Sequence, residues 1–435
     1  MQLRLGLRMR PGTTLLLLLG SLTLAAVHAQ TLRSEPASVP SPADEAVVPG
    51  VDEVDGLSQR EAFGMALAAL VIFVAAGGGT GGGGVLDPIY ILVCGLSAKT
   101  AIPLSSITIL GGAIGNFFLN IRRTRENSTK PLIDWDVILV MQPLLLLGAT
   151  CGTVLNTIMP TWLLSVLLVL VLSVTGTRTL QKAISARQKE RWQCGVSPES
   201  SSLLSVDPSK TPTGEPQLRA DVPWRKLATL LGLFVVIAGM RIVRGGQNFD
   251  SPLGIDASSA LYPVLVALPY LVLVGVSYFS LTNLGVTYQK QQNPQYEPEA
   301  HEIKWTASSI GFFPAFSFAA GAVSGMFGIG GGIINAPLLL EVGIDPSAAS
   351  AMTAATVLFS SGMSSFNYLV MGKMDLQLAQ LMLPMGFITT YIGHLCLLKV
   401  VRRFQCPSLI IFSMAVIVLI SAVAMSVESV RALFA

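Results

Sequence analysis

Charge is what this chain has least of. Asp, Glu, Lys and Arg together supply 12% of its 435 residues, against 51% hydrophobic side chains. An ordinary soluble domain carries about twice that share of charge, so the composition excludes a soluble globule and indicates a polytopic membrane protein. Histidine is almost missing: His28, His301 and His394 are too scattered to build a site, although His394, inside an apolar stretch, could carry a proton. The five cysteines include no CxxC spacing, which argues against thiolate metal sites and dithiol redox chemistry. Cys94, Cys151 and Cys396 lie in apolar stretches, where cysteine serves as a small packing residue. No glycine run is followed by the Lys-Ser/Thr pair of a nucleotide-binding loop, so ATP hydrolysis is not indicated. One histidine and two acids at membrane depth cannot supply a catalytic set, and an enzyme is not expected. The net charge of +3 sits in loops between apolar segments, where positive-inside bias explains it better than nucleic-acid binding.

What the chain does have is the same passage written twice. "GGGTGGGGVLDPIY" at Gly77 to Tyr90 returns as "GMFGIGGGIINAPLLL" at Gly325 to Leu340, each interrupting an apolar stretch. With Pro88 laid on Pro337, Gly79, Gly81, Gly82 and Gly83 fall on Gly328, Gly330, Gly331 and Gly332. After a one-residue slip, Ser105 meets Thr353 and Thr108 meets Thr356; further on, Asp134, Met141, Pro143 and Gly152 meet Asp375, Met382, Pro384 and Gly393. Such matched units, each broken near its start by glycine and proline, point to a secondary transporter whose site lies between its repeats.

The expected architecture is all-α and polytopic, with two inverted or duplicated repeats. Apolar runs of spanning length fall near 101–120, 136–156, 160–178, 226–243, 260–281, 346–370, 376–398 and 407–427, giving about eight full spans. Two glycine-broken segments, about 62–95 and 308–343, are either crossings or re-entrant pairs of half-helices. Residues 1–29 read as a signal peptide, with Arg4, Arg8 and Arg10 before the apolar run Leu15 to Val27; an uncleaved anchor is the alternative. An acidic leader at 30–61 is expected to be disordered. Then come membrane repeat 1 (62–178), a Ser/Pro/Thr-rich cytoplasmic linker (179–225), linking helices (226–281), a polar loop (282–307) and membrane repeat 2 (308–427). Only re-entrant glycine segments place the basic loop 121–130, the linker and the cluster Lys399, Arg402 and Arg403 together in the cytoplasm, which inverts the second repeat relative to the first. Arg241 and Arg244 depart from that pattern by falling outside. The result is an integral, multi-pass protein delivered through the secretory pathway.

Non-helical backbone is not tolerated against lipid, so a glycine break lies against protein or water. Glycine lets backbone approach a ligand, and a half-helix starting after the break aims unpaired N–H groups inward, which suits an anion. The candidate substrate-binding residues are Gly81, Gly82, Gly83, Pro88, Ser105, Thr108 and Asn116 in the first copy. In the second they are Gly330, Gly331, Gly332, Pro337, Thr353, Thr356 and Ser364. Close helix packing is the alternative role for the glycines, and bonding within the bundle for the hydroxyls. Asp87 is the candidate for proton coupling, with Glu341 behind it; Asp134 and Asp375 read as helix caps.

The break with its proline, the "AxxTS"-like helix after it and the Asp-led helix carrying Pro and Gly resemble the sulfite exporter TauE/SafE family, over about 62–178 and 308–427. The long linker and signal-like start resemble its eukaryotic branch. That resemblance implies a carrier exporting sulfite or small organosulfonate anions with no bound cofactor. In the first copy "IPLSSIT" stands where the second has "SAMTAAT". An anion channel and a non-transporting membrane scaffold remain as alternatives, and oligomeric state is open.

Overall fold

The computed structural model describes residues 59–76, 83–125, 131–195, 223–245, 251–252, 254, 261–291, 307–341, 344, 346–404, 419, 422–423 and 425–426. The expected signal peptide, nearly all of the acidic leader, most of the linker, the 282–307 loop beyond Gln291 up to Thr306, and Gly81 and Gly82 lie outside the described residues.

Eleven helices are described: α1 (Gln59–Ala75), α2 (Gly83–Leu92), α3 (Ala98–Asn120), α4 (Trp135–Ile158), α5 (Thr161–Gly195), α6 (Trp224–Arg244), α7 (Leu261–Gln291), α8 (Ala307–Phe327), α9 (Gly332–Glu341), α10 (Pro346–Val370) and α11 (Leu376–Phe404). Among the described residues there is no strand beyond the isolated bridge Thr124–Pro131. The protein is all-helical, and five of these helices (α3, α4, the first part of α5, α6 and α7) are long and apolar enough to cross a membrane. Seven of the eight expected spans coincide with helices, α10 and α11 included, while the run at 407–427 falls almost entirely outside the described residues. Each glycine-broken segment has one helix before its glycines and a ten-residue helix after them. Ten residues rise about 15 Å, half of the ~30 Å hydrocarbon core, so neither α2 nor α9 crosses it alone.

The caps read from sequence are in place. The Asp134 carboxylate accepts from the Asp136 N–H at 3.2 Å, and Asp375 accepts from the N–H groups of Gln377 and Leu378 at 2.9 and 3.2 Å. Each satisfies donors that a helix start leaves unpaired.

Burial separates the helices into two roles. The most apolar window of α4 is 89% buried, that of α6 only 22%, so α4 is a central pillar and α6 a peripheral one. Leu231, Val235 and Val236 on α6 and Leu271 and Phe279 on α7 are exposed, as suits a face in contact with lipid. The central packing exchanges helices between the two halves of the chain. α4 makes its most extensive contacts with α8, and α11 with α3. One hydrophobic cluster joins α4, α6 and α7 to α8–α10; the other joins α1–α3 and α5 to the second break and to Ala379 and Met382 of α11.

These crossings are backbone-close. A Cβ on Gly148 or Gly152 would overlap the carbonyls of Phe318 or Ala322, and one on Gly321 or Gly325 would overlap those of Leu145 or Ala149. Each helix therefore presents a Gly-x-x-x-Gly step to the other, the spacing that lets helix backbones approach. α11 meets α3 likewise at Gly111 and Gly386. A Cβ on Gly393 would lie 2.6 Å from the Phe73 carbonyl of α1.

Candidate functional site

The residue that follows the first glycine run meets the second break in the middle of this packing. Gly83, the first residue of α2, lies so close to the second break that a Cβ there would overlap the Ile329 carbonyl. The second break turns through three glycines at positive φ, Gly328 (64°), Gly330 (74°) and Gly331 (69°), a conformation that L side chains rarely adopt. A Cβ on Gly330 would sit 2.8 Å from Ile109 and 2.9 Å from Val357, one on α3 and the other on α10, at positions the sequence alignment equates. Gly331 is packed against Ala320 and Ser324 of α8. The Gly331 carbonyl accepts from the Asn335 N–H at 2.9 Å as α9 begins.

The polar side chains around the breaks pair in a matched way. The Tyr90 hydroxyl of α2 bonds Thr108 Oγ1 of α3 at 3.0 Å; Asn335 Nδ2 of α9 donates to Thr356 Oγ1 of α10 at 3.1 Å. Thr108 and Thr356 thus each hold the short helix after a break, and each also donates to its own helix backbone, at Leu104 and Thr353. Ser360 donates to the Gly330 carbonyl at 2.9 Å. Ser105 Oγ stands 2.7 Å from where a Cβ on Gly328 would be, and donates to the Ile102 carbonyl at 3.0 Å. Thr353 is fully buried and its hydroxyl lacks a partner.

Ser105, Thr108, Thr356, Gly83, Gly330 and Gly331 are therefore brought together, and Gly332 and buried Pro88 lie on the short helices that begin there. Pro337 lies within α9. Asn116 and Ser364 are not part of this group: each is eight residues beyond its threonine, about 12 Å along the helix axis. Ser364 donates to the Ser360 carbonyl, while Asn116 is buried with its Oδ1 unpartnered. Asp87 is fully buried in α2 beside Ser105, and no hydrogen bond of good geometry reaches either carboxylate oxygen. The aligned position in the second copy is Ala336, so this acid has no counterpart.

Several residues of the site were not singled out from sequence. Tyr90 and Asn335 sit inside the quoted motifs and could have been found by asking which polar side chains fall on the short helices. Tyr368, which donates to the Gly325 carbonyl at 2.6 Å, and Asn156, which donates to the Met326 carbonyl at 2.7 Å, brace the strand of backbone entering the second break. No local sequence signal marks them, because their partners are distant in the chain. Among the described residues no group of three or more His, Cys, Asp or Glu side chains could hold a metal ion.

Known proteins give the arrangement a relationship. The profile described as Sulfite exporter TauE/SafE matches residues 64–242 and 313–432. Sulfite exporter TauE/SafE family protein 5 of Arabidopsis thaliana is 29% identical over 386 residues, covering 85% of this chain and 83% of its own. Family proteins 1 and 2 of the same plant are 29% and 28% identical, over 355 and 368 residues, covering 79% of this chain and 78% and 77% of their own lengths. No solved structure matches. Both glycine breaks and the helices that hold them lie within the matched residues, and the chain belongs to the sulfite exporter TauE/SafE family of integral membrane proteins.

Proposed function

We propose that the protein is a secondary transporter that exports a small anion, sulfite or an organosulfonate, by alternating access around the meeting point of the two breaks. The observation that carries this reading is Gly330, whose backbone lies between Ile109 of α3 and Val357 of α10. A break seated between equivalent positions of two equivalent helices is where a duplicated carrier keeps its site.

The matched contacts support an internal duplication. Gly152 packs on Ala322, and Gly393 on Phe73, which are equivalent positions in the two copies. The start of α9 and the backbone of the break offer N–H groups, and the family relationship supplies the anion. Seated beside this backbone, Ser105, Thr108 and Thr356 would replace the hydration of the substrate, with Gly81–Gly83, Gly331, Gly332, Pro88, Pro337 and Thr353 shaping the path, and Asn116 and Ser364 lining it further along α3 and α10.

Charge supports the orientation. Lys226 and Asp136 form an ion pair at 2.6 Å, so α4 and α6 begin on one face of the bundle. The glycine crossings run α11 alongside α3 in the same direction, so its basic end at 399–403 reaches the face where loop 121–130 emerges. A cytoplasmic placing of that face satisfies positive-inside bias. Asn127 of the sequon Asn127-Ser128-Thr129 then carries no glycan. An endoglycosidase-sensitive mass shift abolished by Asn127→Gln would reverse the orientation.

Radiolabelled sulfite flux into proteoliposomes of the purified protein, with sulfate, chloride and taurine as competitors, tests the function. Saturable, competed flux is the expected result. Flux that does not saturate makes the protein a channel, and no flux from folded protein makes it a scaffold. A lone carboxyl buried beside the break can exchange a proton when the site opens to one side. Asp87→Asn is therefore expected to leave counterflow intact and remove at least tenfold of the stimulation by an imposed pH gradient; undiminished stimulation would remove Asp87 from coupling.

A further inference from the structure

Arg241 and Arg244 occupy one face of the last turns of α6 and are 1% and 6% exposed. None of the three guanidinium nitrogens of Arg241 makes a hydrogen bond of good geometry, the Tyr270 hydroxyl being the polar group that approaches it, and no ion pair to it is present among the described residues. Its neighbours are Arg244, the Tyr270 hydroxyl of α7 and Cys151 of α4, so the nearest charge has the same sign.

Depth makes this more demanding. The Lys226–Asp136 pair marks the start of both α6 and α4. Arg241 and Cys151 each lie fifteen residues further on (226 to 241, 136 to 151), a rise of about 22 Å. With a hydrocarbon core of ~30 Å, Arg241 is inside the apolar slab, in the half opposite the basic loops. Lysine could respond to such burial by losing its proton, but arginine keeps its charge. A buried unpaired charge carries a large desolvation penalty, and positive-inside bias gives no reason for two arginines here. A planar guanidinium with free donors in a dry pocket lacks one thing, an oxyanion that accepts its paired N–H groups.

We propose that Arg241, with Arg244 and Tyr270 beside it, forms a second anion site between α4, α6 and α7, occupied by an oxyanion: a small sulfur oxyanion or the phosphate of a lipid. The site is separate from the glycine breaks and does not depend on their role in transport. α4 stands between the two, carrying Cys151 toward the arginine and Gly148 and Gly152 toward α8.

Equilibrium binding to the full-length protein tests this. Sodium sulfate is titrated calorimetrically into protein held in phosphatidylcholine nanodiscs, at ionic strength matched with choline chloride. In parallel, native mass spectrometry records phosphatidylglycerol retained by protein from vesicles of three parts phosphatidylcholine to one part phosphatidylglycerol. The expected result is that Arg241→Met, which keeps the volume and removes the charge, weakens one of these ligands tenfold or more. Loss of sulfate affinity identifies a free oxyanion; loss of retained phosphatidylglycerol with sulfate unchanged identifies a lipid phosphate. Arg241→Lys keeps charge and reach, so it reports even where the methionine variant does not fold, and a point charge in place of the fork is expected to cost at least threefold. Unchanged affinity for both ligands in folded Arg241→Lys and Arg241→Met protein overturns the proposal. Because binding is read rather than flux, the site stands if transport at the breaks fails, and the reverse.

Discussion

Gly152→Leu is expected to destroy the folded protein, leaving no monodisperse peak on size-exclusion chromatography in detergent. At this crossing α4 and α8 meet backbone to backbone, and a Cβ on Gly152 would occupy the position of the Ala322 carbonyl. Nothing there can yield, because a carbonyl in a helix cannot rotate away as a side chain does. The whole of α8 must move, and with it Gly325 and Tyr368, whose hydroxyl holds the Gly325 carbonyl. The cost is therefore above the ~4 kcal/mol that separates exceptional substitutions from ordinary ones. Gly393→Leu should behave similarly where α11 crosses α1, with a Cβ 2.6 Å from the Phe73 carbonyl. Gly239→Ala is the control: nothing lies within 4 Å of its added methyl, so it should keep or raise the melting temperature, by up to ~1 kcal/mol of helix propensity. A Gly152→Leu protein that melts at the wild-type temperature would show that the helices do not cross as closely as described.

Gly330→Ala is expected to lower saturable sulfite flux at least tenfold while leaving a folded, monodisperse protein. The residue has φ of 74°, which costs an alanine about 1–2 kcal/mol. The methyl also meets Ile109 at 2.8 Å and Val357 at 2.9 Å. Those contacts are with side-chain ends, which can give where the carbonyl at Gly152 cannot; overpacking of this kind costs about 1–3 kcal/mol. The combined penalty is tolerable for a bundle of this size but falls on the segment proposed to hold the anion. Relief of the contact should restore part of the flux, so Gly330→Ala combined with Val357→Ala is the informative double variant. Unaltered flux in Gly330→Ala would take the second break out of the transport path.

Much of this was legible in the chain itself. The apolar runs place α3–α7, α10 and α11, because a segment of that length without charge has one stable form in lipid. The capping roles of Asp134 and Asp375 follow from their place ahead of apolar runs, and hydrogen bonds confirm them. Ser105, Thr108 and Thr356 lie beside the breaks as their spacing suggests. Most hydroxyls there bond backbone carbonyls of their own helices, as with Ser364 on Ser360, which is the structural role the sequence offered as the alternative to binding. Asn116 and Ser364 shared the composition of the site but not its depth, since depth depends on where along α3 and α10 the break is seated.

Glycine shows where local information ends. Gly152 and Gly239 look alike in sequence, both set among apolar residues, yet one fills a helix crossing and the other faces open space. Arg241 reads from sequence only as a basic residue that departs from the positive-inside pattern, and only packing against α4 and α7 buries it.

The sequence alone determined that the chain is helical, membrane-embedded and marked by two glycine runs within apolar stretches, because those properties follow from local hydropathy, length and backbone sterics. The exchange of α4 and α11 between halves, the contact of Gly83 with Ile329, and the burial of Arg241 were decided only by tertiary structure. In an apolar bundle every helix has faces fit for many partners, and the choice among them rests on backbone-close complementarity between residues more than a hundred positions apart.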